Sequence, residues 1–314
     1  MSTEALNQPE KTLAQERLKL ATYLLLPTQI LLVFIVAFPL ILQLYISFTY
    51  WTPLDGEPWY MAYQSWAWFQ NYIDFFTDAD LWAAIGRTLL FVAIAVPIQV
   101  GLGLALAALF YEQIYFRSIF YSIVLVPMMI VPAVAGYIFY LLFQQTGPIN
   151  GLIHLFYADA YSINWLNNPT RAFIAVIIAD VWQWTPLMFL ILYAGLLSVP
   201  DDQMRAAKIL GANWRQRFTM IALPRMKTLI IIALTLRTIE CLKIFDLLFV
   251  MTAGGPGVAT QSISVYLYKR TFQDMEWSYV TAIGIALLII ITAITIYLMS
   301  KSAQKPATAT GGAH

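Results

Sequence analysis

The sequence predicts an all-α integral membrane protein with six transmembrane helices. Three observations carry that expectation. The chain of 314 residues is 60% hydrophobic and only 11% charged, whereas a soluble domain carries about a quarter charged residues. Six apolar stretches are each long enough to cross about 30 Å of hydrocarbon, which takes about 20 residues in a helix. The connectors between them alternate between rich and poor in Lys and Arg, as the two sides of a membrane do.

The first stretch lies near 21–49, behind a polar head that holds Lys11, Arg17 and Lys19. Head and apolar run together look like a secretory signal, but the run is about twice a signal's length and reads as an uncleaved anchor. The other spans fall near 84–111, 117–143, 172–198, 227–252 and 278–300. Residues 1–20 read as a cytoplasmic segment, and residues 301–314, with the small polar tail "SAQKPATATGGAH", as disordered.

Direction follows from the basic residues. The loop Trp51–Trp82 holds Asp55, Glu57, Asp74, Asp78 and Asp80 and no Lys or Arg, which marks an outside loop. The connector Asp201–Lys227 holds Arg205, Lys208, Arg215, Arg217, Arg225 and Lys227, which marks an inside loop. The two tails, the Arg117 turn and this connector hold twelve of the eighteen basic residues. Six helices with both termini inside fit this distribution. The outside loops contain "EPWYMAYQSWAWFQNY" and "HLFYADAYSINW". These read as an interfacial aromatic belt with short amphipathic helices or as a docking surface for an external partner.

Several function classes are excluded. A net charge of +1 gives no support for a nucleic-acid partner, and the single Cys241 excludes an intrachain disulfide. Two histidines, one of them C-terminal, do not supply a zinc enzyme. No nucleophile with a base and no paired carboxylates occur at a catalytic spacing. The glycine-rich "TAGGPG", Thr252–Gly257, lacks the Lys-Ser/Thr of a phosphate loop, and Pro256 removes an amide; it reads as a turn after the fifth span.

The charges inside the spans are more informative. Arg237, Glu240, Lys243 and Asp246 follow one another at steps of three, alternate in sign and share one drifting helical face. Ionisable groups at membrane depth face a bundle interior or a water-filled cavity. The series is therefore either a self-neutralising ladder that orients the helix or the lining of a polar path. Asp180, in "IIADVWQW", is isolated, with no partner visible. Trp182 and Trp184 serve either packing or stacking on a ring-shaped solute.

The connector reads as a helix. Ser198 and Asp201 have capping-box spacing, with Pro200, Asp201 and Asp202 in the first turn. Ala207, Leu210, Trp214, Phe218 and Ile221 recur at helical steps as one apolar stripe, opposite Arg205, Lys208, Arg215 and Arg217. Gly211 interrupts the stripe, which predicts two short helices meeting at a bend. Pro224 closes the unit. Such a helix lies on anionic lipid, or the small residues Ala206, Ala207, Gly211 and Ala212 admit another protein's surface.

In detail, the connector resembles the EAA loop of ABC importer permeases, which runs E-A-A, three residues, G, then I-x-L-P. Here it reads "RAAKILGANWRQRFTMIALP", with Ala206, Ala207, Gly211, Ile221, Leu223 and Pro224 on pattern positions. Arg205 stands at the leading Glu and Leu210 at the Asp before the Gly. "GRTLLFVAIAVPIQVGLGLALAALF", "FRSIFYSIVLVPMMIVPAVAGYIFYLLFQQTGPIN" and "KIFDLLFVMTAGGPGVATQSISVYLYKRTF" are similar to the sugar-type branch, which includes maltose and glycerol-3-phosphate permeases.

The resemblance implies a type I importer permease fold in a bacterial inner membrane. It implies a second homologous permease (a heterodimer, given Arg205), two cytoplasmic ATPase subunits and an extracytoplasmic solute-binding protein. No cofactor is expected on this chain, and ATP with Mg belongs to the ATPase subunits. Arg205, Ala206, Ala207, Leu210, Gly211, Ala212, Trp214 and Phe218 would form the coupling loop. Asp180, Trp182, Trp184, Arg237, Glu240, Lys243 and Asp246 are the candidate solute path. A carbohydrate or polyol is the expected solute, with an anionic sugar derivative as the alternative. A proton-coupled transporter titrating Glu240 or Asp246, and a non-transporting scaffold, are the competing classes.

Overall fold

A computed structural model describes residues 8–111, 115–156 and 162–303, with the side chains of 8–19, 298–299 and 301–303 left out of account. Among the described residues every regular element is helical, apart from one isolated bridge between Thr49 and Trp66. In chain order the helices are α1 (Gln8–Ser47), α2 (Gln70–Thr77), α3 (Ala79–Tyr111), α4 (Arg117–Met129), α5 (Pro132–Leu142), α6 (Pro148–Phe156) and α7 (Pro169–Leu197). They continue as α8 (Asp201–Ile209), α9 (Trp214–Arg217), α10 (Leu223–Arg225), α11 (Lys227–Leu242), α12 (Asp246–Thr252), α13 (Ile263–Phe272) and α14 (Trp277–Ala303). Helix α1 begins inside the segment read as a polar head, and α14 runs into the segment read as disordered. The rest of that tail and part of the second aromatic cluster, 157–161, lie outside the described residues.

Four helices are long and apolar enough to cross a membrane alone: Leu20–Ser47 of α1, α3, α7 and Trp277–Tyr297 of α14. The other two stretches are not straight spans. The third, 117–143, bends by 97° between α4 and α5. Pro132 lacks an amide hydrogen and forces Val131 into an extended conformation, so the ladder cannot run through. Gln183 of α7 donates its Nε2 hydrogen to the carbonyl of Ile130 at 2.9 Å, pairing a group that the break would leave bare. The fifth, 227–252, is interrupted at Lys243–Phe245 between α11 and α12. There Ser262 Oγ donates to the carbonyl of Ile244 at 2.8 Å.

The chain divides into two compact units. In the first, residues up to Phe76 with Met275–Leu288, the aromatic loop folds onto the end of α1. Asn71 donates to the carbonyls of Ser47 and Thr49 at 2.9 and 2.8 Å, and Ser278 Oγ donates to the carbonyl of Trp51 at 2.7 Å. Trp59, Tyr60, Tyr63, Trp68 and Phe69 remain exposed around this core.

The second unit, Thr77–Asp274 with residues from Ile289 on, holds the main apolar core. It is built on the α3–α7 pair. A Cβ on Gly103 would meet Met188 Cβ at 2.7 Å and the Phe189 amide at 2.8 Å, so only glycine lets these backbones approach so closely. Helix α12 packs on α5, which sets the two broken spans side by side.

Candidate functional site

Two regions of the second unit collect the residues singled out by sequence. The first is a buried polar cluster. Arg237 on α11 pairs with Asp180 on α7, Nη2 to both carboxylate oxygens at 2.6 Å, with both side chains 2% exposed. Gln99 on α3 completes the cluster. Its Oε1 accepts from Arg237 Nε at 2.7 Å, and its Nε2 donates to Asp180 Oδ2 at 2.7 Å. Trp184 lies against the guanidinium, which stands 4.9 Å from its ring centre. A charge pair out of water survives only with its remaining donors and acceptors satisfied, and Gln99 does that here.

This arrangement corrects the expected ladder. Arg237 turns to Asp180 rather than to Glu240, because only that direction leads into the interhelical core. Glu240 pairs instead with Lys243 at 3.2 Å, the two side chains being 46% and 57% exposed. Asp246 is separated from them by the helix break and opens α12, where a carboxylate suits the amino-terminal end. The charges thus fall into one buried pair, one exposed pair and one helix start. Trp182 is exposed and sets its ring edge-to-face against Phe139, centres 5.2 Å apart. Beside it, Gln183 Oε1 is buried without a hydrogen-bond partner among the described residues.

The sequence reading missed Gln99, although a signal was present. It is the one polar side chain from Leu89 to Phe110, in an otherwise apolar run. Outside the spans, burial first and then its hydrogen bond to Asp78 hold the Tyr266 hydroxyl well above the ordinary tyrosine pKa. Arg270 Nε donates to the same oxygen at 3.0 Å.

The second region is the connector. Two short helices, α8 and α9, meet at Gly211, whose φ of 85° is left-handed and favours glycine. Asn213 caps α9 reciprocally with Gln216. Ser198 does not cap α8: it remains in helical geometry as the end of α7, and its Oγ donates to the carbonyl of Gly195 at 2.7 Å. Pro200 precedes α8 without a side-chain cap. Pro224 lies inside the short α10, after a π-type turn at Phe218–Ala222, and the bend into α11 is 68°.

The expected single stripe is divided by the bend. Trp214, Phe218 and Ile221 pack against the main core, and Met204 is buried. Ile209 and Leu210 point away, each 86% exposed. Ala206 and Gly211 are exposed and Ala207 and Ala212 half-buried, while Arg205 pairs with Asp201 at 3.4 Å on the open side of α8. The loop is therefore an anchored base with a protruding apolar tip.

Known proteins resemble the chain along most of its length. A trehalose/maltose transport system permease protein, MalF, of Thermococcus litoralis is 32% identical over 79% of this chain and 83% of its own. A sulfoquinovosyl glycerol transport system permease protein, SmoG, of Agrobacterium fabrum is 31% identical over 89% of each chain. A bacterial ABC transporter involved in the import of the acidic polysaccharide alginate superposes with a TM-score of 0.79 at 21% identity, covering 95% of this chain and 100% of that one. The fold is that of type I ABC importer permeases. Residues 99–305 match the family described as binding-protein-dependent transport system inner membrane component. With two thirds of its length inside that match, the chain belongs to this family of membrane-embedded transport subunits.

Proposed function

We propose that the chain is one membrane-spanning subunit of an ATP-driven importer and that, with a second permease, it forms the path for a carbohydrate or polyol. The solute is delivered by an extracytoplasmic binding protein. ATP and Mg act on two separate cytoplasmic ATPase subunits, and both termini lie in the cytoplasm, on the side of the basic connector. The observation that carries this reading is the connector's tip: Ile209 and Leu210 stand exposed on a bend whose flanks are fixed to the core. Bare apolar side chains on a charged loop suit a protein groove better than water.

ATP-driven closure of the ATPase dimer would move this tip and switch access across the membrane. Family membership leaves no role for a proton-coupled carrier titrating Glu240 or Asp246, nor for a non-transporting scaffold. The solute-facing groups we assign are Trp182, Glu240, Lys243 and Asp246, which are accessible, whereas Asp180, Arg237 and Trp184 hold helices together. The exposed Lys243 ammonium also favours a second reading, an anionic sugar derivative, in keeping with a relative named for sulfoquinovosyl glycerol.

The test is Leu210→Asp in the intact complex. It should insert normally, lose the ATPase subunits on purification and abolish uptake. Normal recovery of those subunits with normal uptake would remove the assignment. Uptake of labelled trehalose compared with a sulfonated glycoside separates the two solute classes.

A further inference from the structure

The connector is joined in sequence to α7 and α11, yet it also touches α3. The ring of Tyr111, the last residue of α3, stacks on Trp214 of α9, centres 5.6 Å apart and planes 18° from parallel. Trp214 is pressed in turn by the Arg217 guanidinium, 5.6 Å from its ring centre, and by Phe218 at 5.5 Å. Tyr111 Oη also reaches Asp201 Oδ1, at the start of α8, at 3.5 Å. One residue of α3 therefore touches both halves of the bent loop.

Two further sites on α3 carry polar contacts. Twelve residues before Tyr111, Gln99 holds the Asp180–Arg237 pair. Near the other end, Arg87 Nε donates to the carbonyl of Gln261 at 3.1 Å, and Thr88 Oγ1 accepts from the Ile263 amide at 2.9 Å. These last two contacts clamp the segment that follows α12. From Arg87 to Tyr111 is about 36 Å along a straight helix, the full depth of the hydrocarbon layer. Helix α3 continues through Pro97 over this stretch and packs on α7, so it offers a route by which a shift at one end would reach the other.

We infer that Tyr111 is a positioning residue for energy coupling. It passes displacement of the connector to α3, and α3 passes it through Arg87 and Thr88 to the outer segment between α12 and α13. This inference rests on the coupling-loop reading above but can fail separately from it. It makes the route lateral, through an aromatic stack, rather than along the chain into α11.

The experiment uses the intact complex in proteoliposomes, with Val258→Cys in the outer segment as reporter. Val258 is exposed, and the natural Cys241 is fully buried. Labelling by a membrane-impermeant maleimide is measured with and without ATP–vanadate trapping. In the parent, trapping should change the labelling rate by at least about five-fold, the lower range of allosteric coupling. Tyr111→Leu, which keeps apolar volume without a ring, should erase most of that change while trapped nucleotide and bound ATPase subunits stay constant. Tyr111→Phe should respond like the parent. A parent-like response from Tyr111→Leu would overturn the inference, as would a parent whose labelling ignores trapping. Leu210→Asp, which should trap no nucleotide, tests the underlying reading alone: normal trapping in that variant sinks the coupling loop itself.

Discussion

Arg237 and Lys243 sit on the same stretch, six residues apart, and meet opposite fates. The first is sealed between three helices with Asp180 and Gln99; the second is more than half exposed and pairs with Glu240. The difference lies in direction. Arg237 points into the α3–α7 seam, where every donor and acceptor must be matched by protein. Lys243 sits where α11 ends and the chain turns, with its side chain 57% exposed. The same residue chemistry is buried in one place and exposed in the other. Intramembrane charge by itself does not mark a translocation path.

That contrast breaks first at the buried pair. Asp180→Ala leaves an unmatched guanidinium in the core and should lower stability by about 3–5 kcal/mol, as removal of one partner of a buried ion pair does. Thermal unfolding of the purified complex in detergent measures it, and a loss below about 1 kcal/mol would mean that water reaches the site. Asp180→Leu with Arg237→Met should recover much of the stability, since an apolar replacement of both partners is often neutral or better. Next, Gln99→Leu strips one hydrogen bond from each partner and should cost about 1–3 kcal/mol. If it behaves like a surface substitution, the three-helix cluster is really a two-helix pair.

The smallest structural effect belongs to the exposed pair. Lys243→Met should change stability by no more than about 0.5 kcal/mol, because exposed ion pairs contribute little, while lowering uptake of a sulfonated glycoside more than that of a neutral disaccharide. Equal effects on both solutes would take Lys243 off the path, and failure to assemble would show that it belongs with Arg237.

Part of this architecture was readable from residue order, because hydropathy acts locally. The apolar runs located the four long helices, and Gly211 announced the bend, since a left-handed backbone position has few other tenants. Partnership across the bundle was not readable. Arg237 and Asp180 lie 57 residues apart, and a period of three described only neighbours on one helix. Of the ladder only the Glu240–Lys243 rung forms: Arg237 turns into the α3–α7 seam, and Asp246 lies beyond the end of α11 at Leu242, where Ser262, on a different element, donates to the Ile244 carbonyl. The stripe in the connector failed for a related reason. Periodicity assumed one axis, and the bend turned Leu210 outward while Trp214 and Phe218 turned in.

The bend between α4 and α5 has a bearing on the lipid itself. Its arms of 13 and 11 residues reach about 20 and 17 Å, so neither alone crosses about 30 Å of hydrocarbon. At the joint Gln183 takes the place of solvent at the Ile130 carbonyl, as a break inside the hydrophobic layer would require. Straight helices meet a thicker bilayer by changing tilt. A bent span would meet it by opening or closing an angle, so uptake measured in bilayers of different acyl-chain length probes this joint.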